Sequence, residues 1–421
     1  MHLNGDKELQ ILKDKQYYKF SLYGFFKNLR FYESFLILFF LGKGIDYIKI
    51  GLLYSIREIT VAILEIPSGL IADALGRKKT LIISFLFYMI SFTIFYFSNH
   101  YGLMAIAMIF YAIGDAFRTG VHKSMIFHYL KIKGLGKQKA AYYGHTRSWS
   151  QIGSALSALI AGLLVYYSDS YNIIFIASII PYLLDMILIA SYPEFLNGNM
   201  KHLEKTSLSS KFKLISHAFY LSFKQLHFLK SITNLSLHTG YYKAIKDYIQ
   251  PLMMGFALSI PWLTNMEDKQ KTAIIVSIFY FFIYLATAFT SRHAGEVKSY
   301  FKRFTTPLNI TLITGFMSGI FSGIFYNNHW FLLSIFTFII ILLLENLRKP
   351  IGIAYVANQS NDDAMATILS VQSQYQSLFT AIIAPIIGFA AQFFGVGIGI
   401  SIATIFLLLF LPLYYLKEKK D

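Results

Sequence analysis

Long apolar runs, each separated from the next by a polar break, repeat along the whole chain. A helix needs about 20 residues to cross a bilayer core about 30 Å thick. Twelve runs of roughly that length, called spans 1–12 in chain order, are found at about residues 20–41, 50–72, 79–98, 102–130, 142–167, 171–192, 228–258, 272–291, 306–326, 329–355, 366–392 and 395–416. Runs such as residues 338–344 are apolar without alternation, which favours helices over the strands of a membrane barrel.

The polar breaks divide the chain into two similar halves. One long break, at about residues 193–225, separates six predicted spans from six. An acid-x-x-Arg pattern occurs in span 4 (Asp115 to Arg118) and again in span 10 (Glu345 to Arg348). The sequence therefore predicts an all-α membrane protein with twelve transmembrane helices in two pseudo-symmetric six-helix bundles. Its predicted parts are an N-terminal bundle of residues 1–192, a cytoplasmic central loop of 193–225 and a C-terminal bundle of 226–421.

Composition agrees with this pattern and excludes other classes. Of the 421 residues, 55% are hydrophobic and only 14% are charged. A soluble domain carries about 25% charged residues, so this chain lacks the polar groups to cover a surface in water. It contains no cysteine, which excludes disulfides, thiol catalysis and cysteine-ligated metals.

The net charge of +16 follows the breaks between spans. Lys and Arg are concentrated in alternate breaks, whereas the intervening breaks hold only Lys43, Lys49, Lys269 and Lys271. Basic loops stay on the cytoplasmic side of a membrane. We therefore expect both termini to be cytoplasmic, in the plasma (bacterial inner) membrane, and we expect no nucleic-acid partner.

Residues 69–81, between spans 2 and 3, read GLIADALGRKKTL. This segment resembles the signature loop of the major facilitator superfamily, and the resemblance extends over nearly the whole chain through the twelve spans and the central loop. It implies a gating loop that holds the cytoplasmic side closed in the outward-facing state, formed by Gly69, Asp73, Gly76 and Arg77. Ala74 stands where the family usually has Arg, so one contact of this loop is expected to be missing.

Several ionisable residues lie at membrane depth, where a charge must pair or face a cavity. Glu33, Asp115, Glu345 and Asp247 are the candidates for carrying a coupled proton, and Glu33 ranks first because span 1 lines the central cavity in the superfamily. The competing interpretation is structural pairing of Arg30 with Glu33, of Asp115 with Arg118 and of Glu345 with Arg348. Pro251, four residues after Asp247, predicts a kink in span 7.

The residues expected to line the substrate cavity are basic, aromatic or amide side chains in the spans. Basic side chains suit an anionic solute, and tyrosine rings can stack on a substrate. Amide side chains four residues apart lie on the same face of a helix. They are Arg30, Tyr32, Arg118, Arg147, Tyr242, Lys243, Arg348, Gln372 and Gln376. We predict no metal site and no cofactor.

Function follows from this architecture. No G-x-x-x-x-G-K-[ST] loop is present to support ATP hydrolysis, and no nucleophile–base pair indicates an enzyme. We therefore predict a monomeric secondary active transporter whose partners are a small-molecule substrate, protons and the lipid bilayer.

Two directions of transport remain open. The resemblance is greatest to drug:proton antiporter-type exporters, which implies efflux of amphipathic compounds. However, residues 153–162 of span 5 lack the Gly-Pro of the antiporter motif. The alternative is a proton-coupled uptake symporter for a small anionic or zwitterionic metabolite.

Overall fold

A computed structural model describes residues 12–197, 210, 213, 226–261, 265–357 and 362–417. Every regular element in these residues is a helix, which confirms the all-α class. The predicted central loop lies largely outside the described residues, and only its first turn, Glu194–Asn197, is seen as a 3₁₀ helix.

The first six spans are as follows. Span 1 consists of Lys15–Lys27 and Leu36–Gly42, span 2 of Tyr47–Leu75, span 3 of Arg77–Phe97, span 4 of Tyr101–Arg118 and Val121–Ile132, span 5 of Lys139–Ser168 and span 6 of Ile173–Ala190.

The second six repeat this arrangement. Span 7 consists of Leu226–Ile245 and Ile249–Ser259, span 8 of Asp268–Arg292, span 9 of Thr305–Asn327, span 10 of Phe331–Ala357, span 11 of Asp362–Phe394 and span 12 of Val396–Leu409 and Leu411–Tyr414. A short helix, Ala294–Ser299, connects spans 8 and 9.

The packing of the spans confirms the two pseudo-symmetric bundles. In the first bundle, span 1 packs on span 5, span 2 on span 4, and span 3 on spans 4 and 6. In the second, span 7 packs on span 11, span 8 on span 10, and span 9 on spans 10 and 12. The bundles meet where span 2 packs on span 11 and span 5 on span 8, so the contacts between the bundles follow the same symmetry.

Glycines bring the two bundles into backbone contact at one end of the molecule. We call it the closed end; it carries residues 43–46 and 169–172. A Cβ at Gly388 would lie 2.3 Å from the Tyr47 carbonyl oxygen, and one at Gly51 would lie 2.5 Å from the Ala384 carbonyl oxygen. The other end, called the basic end, carries residues 133–138 and 191–197.

Spans 1 and 4 are interrupted, which corrects the continuous helices predicted over residues 20–41 and 102–130. Residues 28–35 form turns between the two helices of span 1, although they contain neither glycine nor proline. Span 4 breaks at Thr119 and Gly120, where Gly120 adopts a φ of +79° that favours glycine.

Span 7 is interrupted by a 3₁₀ turn at Lys246–Tyr248. Pro251 has no N–H to bond to the carbonyl four residues earlier, at Asp247, so the α-helical ladder is lost there. The kink predicted from this proline is confirmed.

Candidate substrate and coupling site

The interruptions of spans 1 and 7 lie against each other between the two bundles. The Lys246 Nζ lies 2.7 Å from a carboxylate oxygen of Glu33. Gln250 donates from Nε2 to the Glu33 carbonyl (2.9 Å), and its Oε1 accepts from the Ile37 N–H (2.8 Å). Backbone groups freed by the break in span 1 are thus bonded by span 7, which links the bundles near the middle of the molecule.

Glu33 and Asp247 both contact Lys246. Arg30 also contacts Glu33, at 3.4 Å, so the predicted Arg30–Glu33 pair is confirmed, but Lys246 is closer. Asp247 lies 3.3 Å from Lys246 and accepts a hydrogen bond from the Tyr54 hydroxyl of span 2 (2.8 Å). Lys246 is not among the predicted cavity residues, although its charge at membrane depth is the signal that could have identified it.

A second linkage involves Glu58 of span 2. Its carboxylate contacts Arg57 (3.1 Å) and Lys243 of span 7 (2.9 Å), and it accepts from the Ser377 hydroxyl of span 11 (3.2 Å). Lys243 was predicted as a cavity residue, whereas Glu58 was not. Among the described residues, no group of three His, Cys, Asp or Glu could hold a metal ion.

A small central cavity lies beside the Glu33–Lys246 contact. Aromatic side chains of the first bundle, including Tyr32, Phe92 and Phe175, form one wall, while Glu33, Arg57, Lys246 and Asp247 line it as charged residues. Its volume of about 30 Å³ leaves room for water rather than for an organic solute. The cavity thus has one aromatic and one charged side.

Asp115 and Arg118 form the predicted pair within the first bundle. The Arg118 Nη2 lies 2.8 Å from the carboxylate of Asp115, which also accepts from the Tyr88 hydroxyl at 2.5 Å. Arg118 and Arg147 both line a cavity of about 120 Å³ between spans 1, 4 and 5, called the N-bundle cavity.

The predicted pairing of Glu345 with Arg348 is wrong. Glu345 instead contacts the His238 Nδ1 (2.9 Å) and accepts from the Thr239 hydroxyl (2.8 Å). The guanidinium of Arg348 bonds neutral acceptors on spans 7 and 9: the carbonyl and side chain of Asn234, the Leu308 carbonyl and the Thr311 hydroxyl. Acceptors from two neighbouring helices therefore outcompete the carboxylate one turn away.

The remaining predicted cavity residues lie in the second bundle. Arg348, Gln372 and Gln376 line a cavity of about 120 Å³, called the C-bundle cavity. Tyr242 is half-buried on span 7, next to Lys243. The predicted site residues therefore fall into three places: the centre and one cavity in each bundle.

The predicted gating loop packs against its own bundle. Gly76 has a φ of +87°, and Asn197, after span 6, accepts a hydrogen bond from the Lys78 N–H (3.0 Å) beside it. Arg77 donates to the Ser124 carbonyl of span 4 (3.4 Å). Gly69 is exposed, and the side chain of Asp73 lies outside the described residues. The gating role of this loop stays a prediction.

Twelve spans in two related bundles, with interrupted helices meeting between them, are the architecture of a secondary transporter. Residues 28–344 match the Major Facilitator Superfamily, and the chain belongs to that superfamily. It is similar to the uncharacterized MFS-type transporter YxaM of Bacillus subtilis (strain 168), with 22% identity over 385 residues that cover 91% of this chain and 90% of YxaM.

Solved transporter structures share the fold. A variant of the nucleoside transporter NupG superposes with a TM-score of 0.77 at 14% identity, covering 94% of this chain and 99% of NupG. A D-xylose-proton symporter gives a TM-score of 0.67 at 13% identity, covering 96% of this chain and 97% of the symporter.

Proposed function

We propose that this transporter exports small amphipathic compounds in exchange for protons, with its basic end in the cytoplasm of a plasma (bacterial inner) membrane. The observation that carries the proposal is the two-sided lining of the central cavity, where an aromatic wall meets Glu33, Arg57 and Lys246. An amphipathic solute presents both an apolar surface and a polar or charged group. Such a lining suits both parts of the same molecule.

Glu33 is the proposed proton carrier because its contact with Lys246 spans the two bundles at 2.7 Å. A proton on Glu33 removes the negative charge that strengthens this contact. An anionic group bound to Lys246 would displace the same carboxylate. Proton and solute thus compete for the Glu33–Lys246 ion pair. Binding of either one would break the pair and let the two bundles separate at the closed end, as the exchange of solute for protons requires.

An uptake symporter for an anionic or zwitterionic metabolite is the second candidate. The observation that favours it is the charge of the central network, where bases outnumber acids by one. The bases are Arg30, Arg57, Lys243 and Lys246, and the acids are Glu33, Glu58 and Asp247. An excess of positive charge attracts a negatively charged solute.

Everted membrane vesicles that carry a proton gradient separate the two candidates. Amphipathic drugs, organic anions and sugars are added in turn, and collapse of the gradient is followed by a pH-sensitive dye. Export predicts collapse by several amphipathic compounds, loss of the response in Glu33→Gln, and a normal response in Glu296→Gln, whose carboxylate is exposed at the basic end. No response to the amphipathic compounds, with inward movement of one polar solute in right-side-out vesicles, would reject export and favour uptake.

A further inference from the structure

The N-bundle cavity is strongly basic. Of the described residues that line it, four are Lys or Arg and none is acidic. Arg118 is paired with Asp115, but the Lys27 ammonium and the Arg147 guanidinium make no hydrogen bond or ion pair within the described part of the chain. Lys123 lies over the rings of Phe127 (5.4 Å) and Tyr143 (5.5 Å). The cavity thus holds cations that lack an anion.

The break in span 4 adds backbone donors to these charges. The helix Val121–Ile132 begins after Gly120, which offers no side chain to cap it. Gly120 and Lys123 line the N-bundle cavity, so the first turn of this helix lies at its wall. The N–H groups of a first helical turn have no acceptor within the helix and carry a partial positive charge, which attracts anions.

A buried hydroxyl provides a further, independent donor. Tyr23 lines the cavity and is only 4% exposed, and its hydroxyl, which lies near the Arg118 guanidinium, donates to no acceptor among the described residues. The acidic groups within electrostatic reach of Lys27 are Asp115, which Arg118 already pairs, and the buried Asp185 on span 6; neither lines the cavity. A buried donor without an acceptor is costly unless a ligand bonds it.

The matching position of the other bundle differs. Pro350 corresponds to Gly120 when the acid-x-x-Arg patterns of spans 4 and 10 are aligned, and it lies within the unbroken helix Phe331–Ala357. Span 10 therefore has no second helix start at this position. The combination of cations and a free helix start distinguishes the N-bundle cavity from its counterpart.

We propose that the N-bundle cavity binds the oxyanion group, a phosphate or carboxylate, of a small amphipathic solute. Lys27 and Arg147 balance its charge, while the Tyr23 hydroxyl and the first turn at Gly120 donate hydrogen bonds. This inference rests on the proposed function, because it identifies the charged part of the exported amphipathic compound as anionic and gives that group a second binding place besides Lys246.

Calorimetric titration of the purified full-length protein in detergent tests the site directly. The probes are phenyl phosphate, benzoate, inorganic phosphate and, as a cation of similar size, benzylammonium. The aromatic oxyanions should bind and benzylammonium should not. Because a hydrogen bond to a charged group is lost, Lys27→Gln and Arg147→Gln should each raise the Kd about tenfold or more.

Matched variants separate loss of the site from loss of the fold. Lys27→Arg keeps the positive charge and should keep most of the binding. Lys349→Gln removes a cation that lines the C-bundle cavity and should leave the Kd unchanged. Binding of benzylammonium as tight as that of phenyl phosphate, or an unchanged Kd in Lys27→Gln and Arg147→Gln, would overturn the inference.

The assay also distinguishes this inference from the proposed function, since it needs neither a membrane nor a proton gradient. Oxyanion binding by a protein that collapses no gradient would reject export and keep the site. Gradient collapse by amphipathic cations, without oxyanion binding in the titration, would keep export and reject the site.

Discussion

Lys246 and Glu33 form a 2.7 Å ion pair between the interrupted segments of spans 7 and 1, and each side chain is 21% exposed. The two residues belong to different bundles. We propose that this ion pair breaks when the bundles separate at the closed end. The strength of the ion pair therefore contributes to the free-energy difference between the state in which the bundles touch at the closed end and the state in which they are apart there.

The first prediction concerns access to the closed end. Ile45 is buried there, and the chain contains no cysteine, so Ile45→Cys provides a unique thiol. Combined with Glu33→Gln or Lys246→Gln, this thiol should react with a maleimide about tenfold faster, because one charge-assisted contact no longer holds the bundles together. A thiol at the exposed His100 is the control and should react at the same rate in all backgrounds. Equal rates at Ile45 with and without the ion pair would contradict the prediction.

The second prediction concerns the glycine contacts between spans 2 and 11. A methyl group at Gly388 would lie 2.3 Å from the Tyr47 carbonyl oxygen, which is backbone and cannot rotate away. Gly388→Ala should therefore destabilise the closed-end state by about 1–3 kcal/mol and increase labelling of Ile45→Cys. Gly136→Ala, with open space around the added carbon, should change neither labelling nor melting temperature.

The third prediction concerns the buried guanidinium of Arg348. Arg348 is 2% exposed and bonds acceptors on spans 7 and 9. Arg348→Met leaves these buried acceptors without a donor and should lower the free energy of unfolding by about 3 kcal/mol. Thermal unfolding in detergent measures the loss, and Arg292→Met, at an exposed position, should stay within about 0.5 kcal/mol of the parent protein.

The fourth prediction ranks the candidate proton carriers. Glu345 contacts His238 and Thr239, and Asp115 contacts Arg118 and Tyr88; both carboxylates are thus paired within one bundle. Glu345→Gln and Asp115→Asn should slow transport but keep a solute-dependent proton flux, whereas Glu33→Gln should abolish it. Loss of the flux in Glu345→Gln with retention in Glu33→Gln would place coupling in the C-terminal bundle.

Spacing of three residues along the chain predicted two of the three local ion pairs and failed for Glu345 with Arg348. Arg30 with Glu33 and Asp115 with Arg118 are three residues apart and do contact each other. The contacts between bundles were not predictable in this way. Glu33 and Lys246 are far apart in sequence, and their contact depends on how spans 1 and 7 face each other, which the apolar pattern does not encode.

The break in span 1 shows why the sequence alone did not predict every interruption of the helices. Residues 28–35 contain no glycine or proline, and half of their side chains are apolar, so the sequence favours an unbroken helix. The break is stabilised from outside, by Gln250 of span 7, which bonds the Glu33 carbonyl and the Ile37 N–H. Span 7, by contrast, carries its own signal in Pro251, and its kink was predicted.

The polar and interrupted spans have a consequence for how the chain enters the membrane during synthesis. Within the described residues, eight helices are long and apolar enough to cross a bilayer. Spans 1, 2, 7 and 12 are not among them, and span 12 is apolar but short. A helix that carries charges partitions poorly into lipid on its own. We expect span 3, Arg77–Phe97, to be retained in the bilayer independently, and spans 1 and 2 to become stably inserted only once spans 3 to 6 can cover their polar faces.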